Sequence, residues 1–330
     1  MFGIINNNRG MALLMTILII SLIMVMTLRF NSSMRSSLTS ASNLQNTIAL
    51  DNMSKSAFNS ARAVLSVDAL ESSTDNLHED WANLAVTSQY FAYFFNRGQG
   101  GMKITDHSGR LQINSLLQKK EDSWTINEEQ KKVWLNLLSA EEFEFDEDEA
   151  LNIVEAIIDW LDEDDEPLGF GGAESSFYQS LDTPYTPTNG PVEFIEELLL
   201  IRGITSELYF GTEQIPGLAS LVTPHGRDGK ININTADAFV LGALSEQIDQ
   251  DMVDEMLAFR DDEENDLGDP GWYKLAIPGD VSIPPAIIST SIFFFEIFTE
   301  VATGNMRKKV RGVVERDPKS STGLIYWKIE

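Results

Sequence analysis

The chain has 330 residues, of which 43% are hydrophobic and 9% aromatic, which is enough for one large or two ordinary domains with a buried core. Its 51 acidic and 24 basic residues give a net charge of −27 at pH 7, a balance that repels phosphate backbones and disfavours nucleic acid as a partner. The absence of cysteine excludes a disulfide framework, a thiolate nucleophile and a cysteine-based zinc site, and is compatible with either redox compartment.

The first element is an uncharged segment, Met11 to Leu28, between Arg9 and Arg29. As a helix it would be about 27 Å long, close to the roughly 30 Å hydrocarbon core of a bilayer. Its apolar residues occupy all helix faces, unlike the single stripe of a buried core helix. The following "TLRFNSSMRSS" lacks the small residues of a signal-peptidase site, so we expect no cut there. Residues 11–28 are therefore predicted to be a membrane anchor.

Residues 29–70 continue the helical pattern without glycine or proline. One apolar stripe at spacings of mainly three and four residues comprises Leu38, Ala41, Leu44, Ile48, Met53, Ala57, Ala61, Val64 and Leu65. The pattern predicts one long helix, with its first half in lipid and its second half packed on a sheet in a soluble head.

Strand patterns stand on both sides of a helical middle region. Residues 71–114 are the expected first part of the head, with a hairpin in "MKITDHSGRLQIN" that turns at Asp106 to Gly109. Residues 286–330 hold three strand-like runs, separated at Gly304-Asn305 and around residues 318–323, that predict an antiparallel meander. The fold class expected is α+β: a long transmembrane helix on a small antiparallel sheet, with a large helical domain inserted at 115–285.

Within 115–285, five runs show apolar residues at helical spacing, and several open on Asn, Asp or Thr followed by acids, as helix N-caps prefer. The runs are "INEEQKKVWLNLLSA", "DEALNIVEAIIDWL", "PVEFIEELLLIRGI", "TADAFVLGALSEQ" and "DQDMVDEMLAFRDD". A weak echo between "SGRLQINSLL" and "DGKININTADAFVLGAL" suggests a duplicated unit.

The densest chemical signal is "DWLDEDDEPLGFGGAESSFY" at residues 159–178. Asp162, Asp164 and Asp165 converge where a helix ends, and a glycine-rich turn brings Glu174 back toward them. Crowded carboxylates repel one another unless a cation lies among them, and a flexible set of hard oxygen ligands suits Ca²⁺ better than Zn²⁺ or Mg²⁺. This loop is thus a predicted calcium site.

Two motifs resemble one known family. "NNNRG" before "MALLMTILIISL" resembles the class III leader of type IV pilins and type II secretion pseudopilins, which implies that residues 1–10 are removed by cleavage between Gly10 and Met11. Most of that superfamily carry Glu at the fifth mature position, which is Met15 here, and this departure resembles the minor pseudopilin K family of type II secretion. The acidic loop resembles the same family in Asp159-Trp160, the alternating aspartates, Pro167 and Gly172-Ala173-Glu174.

The resemblance implies a non-enzymatic subunit at the tip of the pseudopilus, which nucleates the filament and helps to export folded proteins. It implies a single pass through the bacterial inner membrane, with the N-terminus in the cytoplasm and the head in the periplasm. Expected partners are minor pseudopilins of the I, J and H types through the N-terminal helices, the major pseudopilin, the prepilin peptidase and the secreted proteins, but no nucleic acid. It also implies structural calcium, for which Asp159 and Asp182 are further candidate ligands.

Other functions stay open from the sequence. The same leader would serve a minor pilin of a type IV pilus. "ININTADAFVLGALSEQIDQDMVDEMLAFR" resembles a helix-hairpin-helix nucleic-acid-binding unit, although its hairpin lacks glycine and its flanks are acidic. A periplasmic hydrolase is a further alternative, since paired carboxylates can meet in three dimensions. His78, His107 and His225 show no recognised metal or triad spacing and are expected in turns.

Overall fold

A computed structural model describes residues 8–83, 86–87, 89, 99–120, 123–277, 279–291, 293–316 and 322–329. The helices are α1 Asn8–Glu71, α2 Glu128–Leu138, α3 Glu147–Leu161, α4 Ser175–Gln179, α5 Ser206–Phe210, α6 Leu218–Leu221, α7 Ala238–Ala243, α8 Gln250–Asp261 and α9 Tyr273–Ala276. The strands are β1 Gln99–Asp106, β2 Leu111–Gln112, β3 Leu117–Lys120, β4 Ser123–Ile126, β5 Val222–Thr223, β6 Ile231–Asn232, β7 Ile288–Ser289, β8 Phe294–Thr303, β9 Met306–Glu315 and β10 Gly323–Ile329. This arrangement confirms the predicted α+β class.

The main sheet has the strand order β1-β8-β9-β10 and is antiparallel throughout. The last three strands form the meander that the sequence predicts. Strand β8 alternates buried and half-buried residues, as expected for a strand with one face on a core. The first strand comes from before the helical middle region and the other three from after it, so residues between β1 and β8 are an insertion into the head.

The second half of α1 packs across this sheet. Phe58, Ala61 and Leu65 of α1 lie in one buried cluster with Phe295 and Val310 of the sheet. Farther up the helix, Leu50 and Ala57 pack against Val301 in a smaller cluster. The apolar stripe, however, is covered only from Leu50 onward: Leu38, Leu44 and Ile48 are each more than half exposed. The predicted packing of the second half of the helix on the sheet is confirmed, and the sheet covers the stripe only up to Leu50.

The predicted hairpin at residues 102–114 is also wrong. Strand β1 pairs with β8 rather than with β2, and β2 pairs in parallel with β5. The residues between them turn into the inserted domain, and Asp106 accepts hydrogen bonds from the amides of Ser108 (2.5 Å) and Gly109 (2.8 Å). The turn signal was therefore correct, but the two strands that it joins belong to different sheets.

The inserted domain has its own core, larger than that of the head. It gathers the buried faces of α2, α3, α7 and α8, with Trp134, Trp160 and Trp272 among its largest buried side chains. Four of the five predicted helical runs contain an α-helix. The remaining run, at 191–204, forms only a short 3-10 helix, Ile195–Leu200. The next residue, Ile201, has extended backbone.

Candidate metal centre

Helix α3 provides the platform of the site. Asp146 caps its N-terminus in a capping box with Glu149, and three acids in its first turn complement the helix dipole. One turn apart at its C-terminal end, Glu155 and Asp159 are both buried, at 7% and 0% exposure. Buried carboxylates are costly unless they accept hydrogen bonds, so these two side chains need donors from the loop that follows.

The loop supplies those donors. The amide of Gly171 donates to Glu155 Oε2 at 2.9 Å, and the amide of Leu168 donates to Asp159 Oδ1 at 3.1 Å. The loop can lie this close to α3 because of its glycines. Gly169 has a φ of 58°, and a Cβ on Gly172 would lie 2.4 Å from Asp159 Oδ2. The "LGFGG" segment is thus fastened back onto the helix that precedes it.

The loop, held against α3 by these hydrogen bonds, brings three acids together. One carboxylate oxygen from each of Asp162, Asp164 and Glu174 lies within 4.8 Å of the others. Because Ca²⁺ binds oxygen at about 2.3 to 2.6 Å, two ligand atoms of one ion lie up to about 5 Å apart. Glu174 is 1% exposed, and neither of its carboxylate oxygens has a hydrogen-bond partner among the residues that the structure describes. Asp162 Oδ1 is likewise buried without such a partner. Three orphaned carboxylate oxygens in one cluster fit a hard divalent cation.

The electrostatics of the cluster agree with this fit. Burial, followed by the charges of Asp159 and Asp162, raises the pKa of Glu174 to about 8. Burial and the charge of Asp164 raise the pKa of Asp162 to about 7, and burial raises that of Asp159 to about 6. The protein alone therefore disfavours full ionisation of this group at neutral pH, which a bound cation would reverse.

The other predicted ligands have different positions. Asp159 accepts loop amides and lies beneath the cluster, where its role is to hold the loop. Asp165 Oδ1 accepts a 3.1 Å hydrogen bond from the amide of Ser175, at the start of α4. Asp182 is exposed and has no described contact with the cluster. The geometry thus gathers Asp162, Asp164 and Glu174, and it leaves Asp182 outside.

One side chain near the cluster was missed by the sequence reasoning. Asn189 has a positive φ of 44°, and its Nδ2 donates a 2.7 Å hydrogen bond to the carbonyl oxygen of Asp164. Its Oδ1 is buried and accepts no hydrogen bond from any described residue. An amide oxygen is a ligand that calcium accepts. The "TNG" sequence signals only a turn, so a ligand role for Asn189 could not be read from it.

A second acidic group in the described chain does not fit a cation. Oxygens of Asp68, Asp75 and Glu79 also lie within 4.8 Å of one another. Here, however, the buried Arg316 pairs with Asp68 at 2.7 Å and with Asp75. Two of these acids are thus paired with an arginine, and Glu79 Oε2 accepts a 2.6 Å hydrogen bond from Trp81 Nε1. Among the residues that the structure describes, no ion pair reaches Asp162, Asp164 or Glu174.

The remaining sequence candidates can be located as well. Gly10 and Met11 lie near the start of α1 and are exposed, as is Met15 at 62%. Helix α1 is long and apolar enough to cross a membrane, with a mean hydropathy of 2.7 in its most apolar window. His107 and His225 lie with ring centroids 5.6 Å apart, whereas His78 Nε2 donates a 2.9 Å hydrogen bond to the carbonyl oxygen of Arg260. The meeting of His107 and His225 was not expected from the sequence.

Acidic residues lie where the predicted helix-hairpin-helix unit would bind a phosphate backbone. Helices α7 and α8 form the expected helical pair, and aspartates cap both of them. The hollow beside their connection is lined by Glu141, Glu142, Glu246 and Asp249. Such a surface repels a phosphate backbone and disfavours nucleic acid as a partner.

Comparison with known proteins identifies the relatives of this chain. Residues 109–213, which include the loop cluster, match the family model described as type II secretion system (T2SS), protein K. The type II secretion system protein K of Klebsiella pneumoniae is 29% identical over 248 residues, 72% of this chain and 71% of that protein. That of Pseudomonas aeruginosa is 26% identical over 249 residues, 73% of this chain and 67% of that protein.

The fold has a counterpart among solved structures. A chain in the crystal structure of the GspK-GspI-GspJ complex from the enterotoxigenic Escherichia coli type 2 secretion system matches with a TM-score of 0.62 and 20% identity. The match covers 87% of this chain and 98% of that chain. This match shows that the two chains share a fold, while the family model and the relatives named protein K confirm the resemblance to that family.

Proposed function

We propose that this chain, a member of the type II secretion system protein K family, is a minor pseudopilin at the tip of the pseudopilus. In this role it nucleates the filament together with minor pseudopilins of the I, J and H types, and the filament helps to move folded proteins across the outer membrane. The relatives named protein K and the GspK-GspI-GspJ complex support this proposal.

The observation that carries the proposal is the uncovered first part of α1. From Met11 to Ile48 the large apolar residues of α1 are half or more exposed, while from Leu50 onward the helix packs on the sheet. About 38 helical residues at 1.5 Å each give a free rod of roughly 57 Å, nearly twice the thickness of a bilayer core. The part beyond the membrane, with Leu38, Leu44 and Ile48, offers an apolar face for the helices of neighbouring subunits.

Met15 supports a position at the tip. In the family, the Glu at this place pairs with the terminal amine of the subunit added before it. An unpaired carboxylate in the bilayer raises the free energy of the inserted helix by roughly 2.5 to 3.5 kcal/mol. The first subunit has no earlier subunit to pair with such a carboxylate, so an uncharged residue such as Met is more favourable there. We further propose cleavage between Gly10 and Met11 by the prepilin peptidase and insertion in the inner membrane with the head in the periplasm.

A structural calcium ion belongs to the same proposal. Asp162, Asp164 and Glu174 would hold it, with Asn189 beside them, because their buried oxygens lack protein partners. When bound, the ion supplies positive charge that lets the crowded carboxylates ionise together. We assign it a structural role in fastening the loop to α3, and the subunit as a whole a mechanical rather than an enzymatic one.

Cysteine cross-linking can test the position in the filament, because the chain has no native cysteine. Ser40→Cys lies on the exposed part of α1, and Ser176→Cys lies on the exposed surface of the inserted domain. In cells that contain the other pseudopilins, we expect Ser40→Cys to cross-link to cysteines in the helices of the I-type and J-type subunits. Ser176→Cys should form no cross-link to the major pseudopilin; efficient cross-linking there would place the chain within the shaft and contradict the tip position.

A further inference from the structure

A cavity of about 530 Å³ lies between the inserted domain and the main sheet, away from the acidic loop. The inserted domain contributes Phe194 and Phe210, and the sheet contributes Glu296, Arg311 and Tyr326. Arg110, His107 and His225 also line it, at the point where the chain passes from the head into the insertion. The cavity therefore combines cationic and aromatic groups in a protein that is otherwise strongly acidic.

Arg110 is the central observation. Its side chain is half-buried, yet its guanidinium forms no hydrogen bond or ion pair with any residue that the structure describes. The nearest acid of the sheet is already engaged, because Arg311 Nη1 donates to Glu296 Oε1 at 2.8 Å. Burial lowers the pKa of Arg110, while the charge of Glu296 opposes this effect. A guanidinium has five N–H donors, and those of Arg110 face the cavity, where a ligand could accept from them.

His107 adds a second unpaired group. It is 6% exposed, and its Nε2 has no hydrogen-bond partner in the described part of the chain: Glu296 Oε2 lies 3.6 Å away, beyond hydrogen-bond distance. Its Nδ1 is 3.1 Å from Thr223 Oγ1, which fixes the ring. His107 is thus held rigidly at the wall of the cavity with an unused polar atom.

The residues that line the cavity indicate the kind of ligand that it would bind. Of the charged residues that line the cavity, Arg110, Arg311 and Glu296 are at least partly buried, whereas Lys328, Glu193 and Glu196 are exposed. Because Arg311 already pairs with Glu296, the charge of Arg110 is left without a partner among the partly buried residues. Phe194 lies with its ring centroid 6.0 Å from that of Tyr326, edge to face, and Phe210 is 70% exposed. A ligand that uses both kinds of wall carries an anionic group next to an aromatic or apolar one. Planar bidentate pairing makes a carboxylate a good match for the free guanidinium.

We propose that this cavity binds a peptide segment through an acidic side chain, with the carboxylate on Arg110 and an adjacent aromatic residue against Phe194, Phe210 and Tyr326. The site is independent of the metal centre and does not require the role proposed above in secretion. It would give the head a defined place for an acidic segment of another protein, at the seam between the sheet and the insertion.

Equilibrium dialysis of the full chain in detergent micelles tests this site with two probes, acetyl-Phe-Glu-amide and acetyl-Phe-Gln-amide. We expect the Glu peptide to bind at least about tenfold more tightly, because only it offers the carboxylate. Equal binding of the two peptides overturns the proposal. Acetate or inorganic phosphate that displaces the Glu peptide at equal concentration assigns the cavity to a free anion, and overturns the peptide assignment.

Matched arginine variants locate the binding. Arg110→Gln should lose the preference for the Glu peptide, whereas Arg227→Gln removes the same charge from an exposed position outside the cavity and should keep it. Histidine NMR of the unmodified chain gives a readout that does not depend on a variant folding. The Glu peptide should shift the ring signals of His107 and His225 but not those of His78, which lies elsewhere. Unshifted signals of His107 and His225 at saturating peptide contradict the site.

Discussion

The amide of Leu168 donates to both carboxylate oxygens of Asp159, at 3.1 and 3.2 Å. These two residues are nine positions apart, and their contact closes the loop that holds Asp162 and Asp164. Asp159 is fully buried at the end of α3, so its carboxylate has no solvent to replace a lost donor. The loop that forms the candidate metal centre thus depends on a buried acid beneath it.

Replacing this acid by its amide should destabilise the protein. Asp159→Asn substitutes a donor NH₂ for one acceptor oxygen in a buried site, which costs about 1 to 3 kcal/mol in the free energy of unfolding. Urea denaturation followed by circular dichroism measures the loss. Asp182→Asn makes the same chemical change at an exposed position and should stay within about 0.5 kcal/mol of the unmodified chain. Equal stability of the two variants would mean that Asp159 does not hold the loop.

Calcium should raise the melting temperature of the chain. At a concentration 100 times the dissociation constant, a ligand that binds only the folded state adds about 2.7 kcal/mol. For a domain of this size we expect a shift of roughly 5 to 10 °C relative to chelator. Glu174→Gln should abolish the shift, whereas Glu163→Gln, an exposed acid outside the cluster, should retain it. A shift that survives Glu174→Gln would assign the ion to other ligands.

The same cluster predicts a pH dependence whose sign differs between the two metal conditions. In chelator, the raised pKa values of Asp162 (about 7) and Glu174 (about 8) mean that the folded state binds more protons than the unfolded state. The contribution of these groups to stability is therefore full below about pH 4 and is lost as the pH rises toward 8. Calcium needs the ionised carboxylates, so its stabilising effect should grow over the same range.

Glu174→Gln isolates this contribution from the other titrating groups. In chelator at pH 8 the variant should melt at a higher temperature than the unmodified chain, because it removes one unfavourable buried charge. In excess calcium at pH 8 the order should reverse, and at pH 4 the two proteins should differ little. Thermal melts at the two pH values, each with and without calcium, check all four expectations. The same order in chelator and in calcium at pH 8 would rule out an ion at Glu174.

Much of the fold could be predicted because its signals are local. The uncharged run 11–28, the alternation in residues 294–315 and the acidic N-caps each act within a few positions of the residues that carry them. The acidic loop was visible for the same reason. The residues that hold the loop in place could not be predicted in this way. In the sequence, Glu155 is one of several acids in a helix, and Asn189 is one residue of a turn. The cavity at Arg110 could not be predicted either, since Arg110 and Arg311 are far apart in sequence and come to one cavity through the pairing of β1 with β8 and of β8 with β9.

Arg316 is expected to be essential for joining α1 to the sheet. It is 5% exposed and pairs with Asp68 of α1 and with Asp75, while its guanidinium carbon lies 4.7 Å from the centre of the Phe295 ring. Arg316→Met would leave two poorly solvated carboxylates without their cation, which costs about 3 to 5 kcal/mol in the free energy of unfolding.

Arg307→Met is the matched control for Arg316. The side chain of Arg307 is 76% exposed and lies 3.5 Å from Glu300, so its loss should cost less than about 1 kcal/mol. Chemical denaturation of both variants gives the comparison. Burial raises the pKa of Asp68, and protonation of that carboxyl relieves the unpaired charge, so the defect of Arg316→Met should also shrink at low pH. A small cost for Arg316→Met at neutral pH would show that the acids rearrange into solvent.

Gly312 on β9 should tolerate no side chain, because α1 crosses the sheet directly above it. A Cβ at this position would lie 2.7 Å from Cε2 of Phe58 and 2.8 Å from the carbonyl oxygen of Tyr326. Glycine in the interior of a strand is normally less stable than alanine. At position 312, however, Gly312→Ala should lower the free energy of unfolding by about 1 to 3 kcal/mol, because the new side chain overpacks the contact with α1. Gly323→Ala is the control, since its nearest neighbour, the carbonyl oxygen of Glu315, lies 3.8 Å from the new atom.

A second substitution can show that the clash with Phe58 is the cause. Phe58→Leu shortens the ring that lies over Gly312, at a cost of its own from the smaller buried side chain. If the helix and strand meet at this contact, the double variant Phe58→Leu/Gly312→Ala should lose less stability than the sum of the two single losses, by more than the roughly 0.5 kcal/mol expected for independent sites. Strict additivity in urea denaturation would instead assign the effect of Gly312→Ala to the backbone of β10, where the carbonyl of Tyr326 is the other close neighbour.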